Sequence, residues 1–359
     1  MAETLISPGV LARENDQTQI TSQPVQAGAA IVGPTVKGKP LVPKLVTSYS
    51  EYEANFGSTF TSGSNSDQYT FLTSIAAQNY FANGGTSLLV TRVVSGSSTP
   101  AISSTISSSA TPPSNVFTLE TLGTGEILNS TSAEGAANIL ESGSLDNLRW
   151  EIVSPNTSSG TFSLLIRRGN DSRKNKIVLE TFTNLSLDPK SSNYIERVIG
   201  NQTQTFLGSG TSDPYLQTTG SFPNASRYVR VKEVLFKTPD YLDNNGAAKD
   251  QYTSSIPVAA SGTFGGATGT LEGVGALGSQ LYENIGSTTQ GLVAGNYTDA
   301  FNLLANKDDY QYNIITAPGL IYADHSSVLN TLIENTENRG DAIVVIDMVR
   351  YGSTITTAV

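Results

Sequence analysis

The chain contains no cysteine. Disulfides, thiolate metal ligands and a cysteine nucleophile are therefore excluded. It contains one histidine, His325, so any Ser-His-Asp arrangement would have to use that residue. No Gly-x-Ser-x-Gly elbow accompanies it, and one imidazole without thiolates does not make a zinc site. Charge is also sparse, at 14% Asp, Glu, Lys and Arg, with a net value of −10. No basic run exceeds Arg173-Lys174. The clustered positive footprint that a phosphate backbone demands is missing, which disfavours nucleic acid as a partner. No window approaches the roughly 18 apolar residues of a membrane span. Met1-Ala2-Glu3-Thr4 lacks the basic and apolar regions of a signal peptide. These absences predict a soluble protein used without classical export or a membrane.

What is present is 38% apolar residues and 33 glycines in 359 residues, with Ser, Thr and Asn crowded into the middle. That is not the composition of a disordered chain. It suits about two or three domains rich in strands and turns.

The stretch from Gln311 to Met348 is the most informative. Tyr312 to Ala317 is a short apolar run closed by Pro318-Gly319. Asp324 or Ser326 can cap a helix whose apolar face is Val328, Leu329, Leu332 and Ile333. Asn338-Arg339-Gly340 ends it, with Gly340 free to turn left-handed. Ala342 to Ile346 follows as an unbroken β-branched run, which predicts a strand covered on both faces of a parallel sheet. The chain stops soon after, at Val359, in a pattern that reads as an interrupted element of a longer protein.

In chain order, residues 1 to 24 read as a polar arm. Val25 to Val32 and Leu45 to Thr47 read as strands. Ser48 with Glu51 is a capping box for a helix over Tyr49 to Asn55. A Gly/Ser loop follows, then a helix of about four turns from Asp67 to Phe81. It stops at Asn83-Gly84-Gly85, where Gly84 or Gly85 is expected at positive φ. Leu88 to Val94 is a strand. Ser95 to Ser114 is rich in Ser, Thr and Pro and marks a boundary. Strands then fall at Val116 to Glu120, Leu148 to Val153, Phe162 to Arg168, Lys176 to Phe182 and Tyr228 to Phe236, with a short helix over Tyr194 to Ile199. Trp150 and Tyr194 read as core of this region. Asp240 to Gly295 reads as long loops, and Asp299 to Leu304 resumes helical spacing. The expected fold class is mixed α+β and α/β. A discontinuous α/β core spans 25–95 and 296–359, the second part incomplete, and carries a β-rich inserted domain over 96–295.

Several of these segments, taken in order, resemble contractile-tail sheath proteins of myophages and related contractile injection systems. They are Ser7-Pro8-Gly9-Val10, then Ala29 to Pro34, Ser48 to Tyr52 running into Phe56-Gly57, and Tyr80 to Gly85 before the strand. The insertion adds Phe162 to Arg168, Glu180 to Pro189 and Asn193-Tyr194-Ile195. No one of these is specific; their order over residues 5 to 349 is. The resemblance implies a non-enzymatic structural subunit that stacks as rings around an inner tube and contracts to drive the tube through a host envelope. It implies other copies of the chain as partners, in a ring or helical homo-oligomer with strand exchange through the arm 1–24. It also implies the inner tail tube protein, the baseplate and the tail terminator, in a phage tail assembled in the host cytoplasm. The family's C-terminal part is not in this chain. The resemblance implies no cofactor, no metal and no catalytic residue.

Residues with the look of chemistry have plainer readings beside the functional ones. Gly33 to Pro40 follows a strand and nearly spells a phosphate-binding loop, but Pro40 supplies neither hydroxyl nor N–H where the motif needs them. It also pushes Lys39 out of the helical region. Asp243-Asn244-Asn245 is a weak calcium candidate against an ordinary turn. Asp308-Asp309 reads as a solvated loop, and Asn156-Thr157-Ser158 as a polar turn. Two other functions stay open at this point. One is a β-rich, adhesin-like module reading host-surface glycans. The other is an α/β hydrolase-type enzyme using His325.

Overall fold

The computed structural model describes residues 25–62, 67–269, 288–350, 352–354 and 356; the arm 1–24 expected from sequence lies outside them. Seven elements come first: β1 (Val25–Gly33), β2 (Lys44–Val46), α1 (Tyr49–Phe56), β3 (Thr59–Ser62), β4 (Asp67–Thr70), α2 (Leu72–Ala82) and β5 (Leu88–Arg92). A long excursion follows. It comprises β6 (Pro100–Ser103), β7 (Phe117–Thr124), β8 (Leu148–Asn156), β9 (Thr161–Arg168), β10 (Val178–Ser186), α3 (Ile195–Ile199), β11 (Thr203–Leu207), β12 (Tyr215–Thr219), β13 (Val229–Val234), α4 (Asp250–Thr253) and β14 (Ala260–Gly265). The chain then returns through β15 (Thr288–Thr289), β16 (Leu292–Val293), α5 (Thr298–Leu304), β17 (Tyr310–Ile321), α6 (Tyr322–Arg339) and β18 (Ile343–Asp347).

The first and last groups build one five-stranded sheet in the order β18-β17-β1-β5-β2. It is parallel except for β2, which is antiparallel to β5. The fold is thus mixed, with strands of one sheet drawn from both ends of the described chain. β1 is its centre, and its unbroken Ala29-Ala30-Ile31-Val32 run is covered on both sides, as parallel strands require. Ala29 and Ile31 pack towards Tyr52, Phe56 and Ala77 of α1 and α2. Ala30 and Val32 pack towards Phe301, Leu329 and Leu332 of α5 and α6. Leucines buried as fully as the last two contribute on the order of 1.5–3 kcal/mol each.

The caps follow the sequence closely. Ser48 Oγ accepts the Glu51 N–H at 3.2 Å, while the Glu51 carboxylate reaches one residue further back, to the N–H of Thr47 at 2.9 Å. Gly84 has φ 91° where α2 stops, and Gly340 has φ 72° where α6 stops. Gly85 is constrained differently: a Cβ there would run into the ring of Tyr80.

Four expectations are corrected. The helix from Asp67 begins only at Leu72, because Asp67–Thr70 pairs with β3 as a hairpin. β17 does not stop at Pro318 but continues to Ile321, and α6 starts at Tyr322 and is kinked at His325. β18 is not covered on both faces. It lies at the sheet's edge, with Ile343 69% and Val345 52% exposed. Finally, Asp240 to Gly295 is not all loop. β14 sits in the middle of the second sheet, between β8 and β6.

That second sheet is seven-stranded, in the order β10-β9-β8-β14-β6-β7-β13, and antiparallel throughout. Trp150, Phe117, Phe162, Ile166 and Tyr194 lie in its core. Gly262 of β14 explains why that strand looks like loop: a Cβ there would strike the Trp150 ring. Glycine inside a strand marks such a close approach. The same sheet buries charge. Asp171 receives two bonds from Arg167, at 2.7 and 2.8 Å. A third comes from Arg149 at 3.3 Å, and a fourth from the Ile177 N–H at 3.1 Å. Arg149 also pairs with Glu134, and Arg167 with Glu151 at 3.1 Å.

Candidate functional site

The residues with the look of chemistry are dispersed. The Gly33 to Pro40 loop leads into β2 and not into a helix, so it lacks the helix N-terminus that a phosphate loop uses. Lys37 is tied to Asp146 at 3.0 Å. His325 is buried, and its Nδ1 accepts the Ile321 N–H at 3.0 Å; a ring nitrogen so used cannot take a proton from a nucleophile. Asp243 Oδ1 accepts the N–H groups of Asn245 and Ala247, closing its own turn. Asp309 accepts from Asn306 at 2.9 Å on the surface. Asn156 Oδ1 closes the β8–β9 hairpin by accepting the Ser158 N–H at 2.9 Å. No group of three or more His, Asp or Glu side chains that could hold a metal occurs among the described residues. No helix among them is long and apolar enough to cross a membrane.

Two other places stand out. The first is the junction of the two sheets. Arg92, the last residue of β5, is 2% exposed and donates to the carbonyls of Gly38 at 2.6 Å and Thr124 at 3.0 Å. It fastens the seven-stranded sheet to the five-stranded one. On the other side the β11–β12 hairpin leans onto α5: Ser209 Oγ and the Gly210 N–H both donate to Asp299, at 2.6 and 2.9 Å. Between these fastenings lies a cleft of about 1280 Å³. Lys39 and Lys44 line it. Lys39 Nζ donates to Thr203 Oγ1 at 2.7 Å, and Lys44 Nζ to Asn55 Oδ1 at 2.6 Å. Burial, helped by the charge of Arg230, pulls the Lys39 ammonium below the ordinary lysine range. Burial does the same at Lys44.

The second place is the outer edge of the five-stranded sheet. Among the described residues β18 is hydrogen-bonded only to β17. Ile343 stands beside Ile314 in the register, and Val345 beside Thr316. Ile314, Ile343 and Val345 are all exposed, as is Met348 just beyond the strand.

No protein-family model matches the sequence, and no curated protein matches it. Among solved structures, the chain is similar to a sheath tail protein of Listeria innocua, with 10% identity and a TM-score of 0.41. That alignment covers 88% of this chain and 46% of the other. A sheath tail protein of Desulfitobacterium hafniense gives 12% identity and a TM-score of 0.36, over 94% of this chain and 52% of that one. The chain thus spans about half the length of each.

Neither place was identified from sequence. Arg92 offered one signal, a lone charge closing an apolar strand, and buried arginines are seldom left unpaired. The two lysines offered none, because Lys39 meets Thr203 only through the pairing of distant segments. The exposed strip reads in sequence as core.

Proposed function

We propose that this chain is a structural subunit of a contractile tail sheath and performs no catalysis. The observation that carries the reading is the edge of the five-stranded sheet, where Ile314, Ile343 and Val345 expose apolar side chains beside a strand that, among the described residues, is paired on one side only. An exposed apolar edge is a site for another chain to add to the sheet. The ordered run of sheath-like segments over residues 5 to 349 supports it as well. In this reading copies of the chain stack as rings around an inner tail tube, between a baseplate and a tail terminator. Main-chain strand pairing holds them together while they reorient, so contraction releases interface energy summed over many identical contacts. The inserted domain would project from this core, and the tail would be assembled in the host cytoplasm.

Negative-stain microscopy tests the proposal. The full-length gene product should form rings or straight tubes, whereas residues 1–359 alone should be mainly monomeric. An Ile343→Lys, Val345→Lys double variant should keep its melting temperature, since both side chains are already exposed, and should lose the assemblies. Monodisperse monomers of the full-length gene product at every salt concentration would sink the reading.

A further inference from the structure

The cleft between the two sheets concentrates positive charge on a chain that is strongly negative overall. Each carboxylate that lines it is already engaged. Glu120 accepts two bonds from Arg230, at 3.0 and 2.7 Å. Asp146 holds Lys37 at 3.0 Å. Asp299 is taken by the tip of the β11–β12 hairpin. Two carboxylates beyond the lining sit close to Lys44 and Arg227, and they too are in use. Glu51 accepts from Thr47, and Glu180 accepts from the Ser226 hydroxyl at 2.6 Å and the Arg227 N–H at 2.8 Å. The two lysines are left with neutral acceptors, Thr203 and Asn55. Neither ammonium forms a salt bridge among the described residues.

Half-buried ammonium groups that hydrogen-bond only neutral acceptors are costly, because desolvation disfavours the charged form and carboxylates acting from beyond contact offset only part of it. Lys39 feels the guanidinium of Arg230 as well as the carboxylate of Glu120, and Lys44 feels Arg227 between Glu51 and Glu180, while the charged side chains that line the cleft itself are five cations against three carboxylates. An anion placed among these groups would relieve both the desolvation and the mutual repulsion. Ammonium groups are compact point charges with rotatable donors, suited to oxyanions of tetrahedral shape.

We propose that this cleft binds a multivalent oxyanion of the phosphate class, held by Lys39 and Lys44 with Arg227 and Arg230 behind them. The binding is independent of the sheath reading, because it uses neither the open sheet edge nor a second copy of the chain. A bound anion would join the two sheets, since Lys39 and Lys44 belong to the five-stranded side while Arg227 and Arg230 belong to the seven-stranded one.

Isothermal titration of the full chain with inorganic pyrophosphate, at low ionic strength and with chloride as the control anion, tests the proposal. One site per chain is expected, weakened by added salt. Lys39→Gln, which can still donate to Thr203, should weaken it by about tenfold, and Lys39→Gln with Lys44→Gln should abolish it. A second measurement needs no variant. Pyrophosphate should protect Lys39 and Lys44 of the wild-type protein from reductive methylation, read by mass spectrometry, while the exposed Lys174 and Lys190 react as before. Absence of saturable binding at millimolar pyrophosphate would overturn the proposal. So would binding unchanged in the folded double variant, or protection spread evenly over all lysines.

Discussion

The seven-stranded sheet and the five-stranded sheet treat their difficult residues in opposite ways. The first takes charge inside and satisfies it: Asp171 lies fully buried under two arginines and a backbone N–H. The second leaves apolar groups outside, with Ile343 and Val345 exposed on a strand that has one neighbour among the described residues. A region whose buried charges each meet an opposite charge has little need of an outside partner. A region that keeps hydrophobic surface on an edge strand leaves that surface for another chain to cover, which is what the proposed function uses. The contrast also separates stability from function. Substitutions inside the first sheet should be felt in unfolding, and substitutions along the edge of the second in association.

The largest effect should come from Asp171→Ala. It removes the carboxylate that two buried guanidinium groups share, leaving Arg149 with Glu134 alone and Arg167 with Glu151 alone, and breaking one partner out of such a set typically costs about 3–5 kcal/mol. Urea unfolding followed by tryptophan fluorescence reads this directly, since Trp150 is the only tryptophan and lies in the same sheet. A loss below about 1 kcal/mol would mean that the buried charges are not what completes the sheet.

Next comes the fastening between the sheets. Arg92→Met keeps much of the side-chain volume but leaves the carbonyls of Gly38 and Thr124 without this donor. The expected cost is about 1–3 kcal/mol. Calorimetry should show the two sheets melting further apart than in the wild type. An unaltered thermogram would place the coupling elsewhere.

A smaller effect is expected at Gly84→Val, a change confined to the five-stranded side. Nothing crowds a Cβ at this position, so the penalty is the strain of a β-branched residue at φ 91°, about 1 kcal/mol or more. An unchanged melting temperature would show that α2 can end without the left-handed turn.

The smallest concerns Asp324, at the start of α6. The hydrogen bonds from Arg350 hold its carboxyl below the usual range. A carboxylate with a depressed folded-state pKa contributes stability above its unfolded value, about 3.9, and loses it as pH falls through the folded one. Asp324→Asn should therefore lower the melting temperature slightly at pH 7 and make no difference once both forms of the wild-type group are protonated. A deficit that persists in strong acid would point to a cause other than the ion pair.

Much of the fold was legible because its signals are local. The β-branched runs of β1 and β5, the Ser48 cap and the stops at Gly84 and Gly340 depend on neighbours within a few residues. What escaped depends on distant partners. Asp67 to Thr70 has helical spacing, and only its pairing with β3 makes it a strand. β14 is small and polar because the Trp150 ring passes over it, which no property of residues 260 to 265 announces. The unbroken apolar run of β18 was read correctly as a strand and wrongly as an interior one, since sheet order is not written in composition. The cleft escaped for the same reason. Lys39 was weighed as part of a phosphate loop, and its actual surroundings come from residues of the second sheet.

The central place of β1 has a consequence for how the protein is made. On the ribosome, β1, β5 and β2 emerge early and can pair at once, but the strand that covers the other side of β1 begins only at Tyr310. At about 5–20 residues per second, that side stays uncovered for on the order of 10–40 s. Throughout that interval the whole seven-stranded sheet is being synthesised, and its β8–β9–β10 meander can close from neighbouring segments. The nascent chain thus finishes its second sheet before its first. The half-built centre around Ala30 and Val32 is the surface that a chaperone would have to shield.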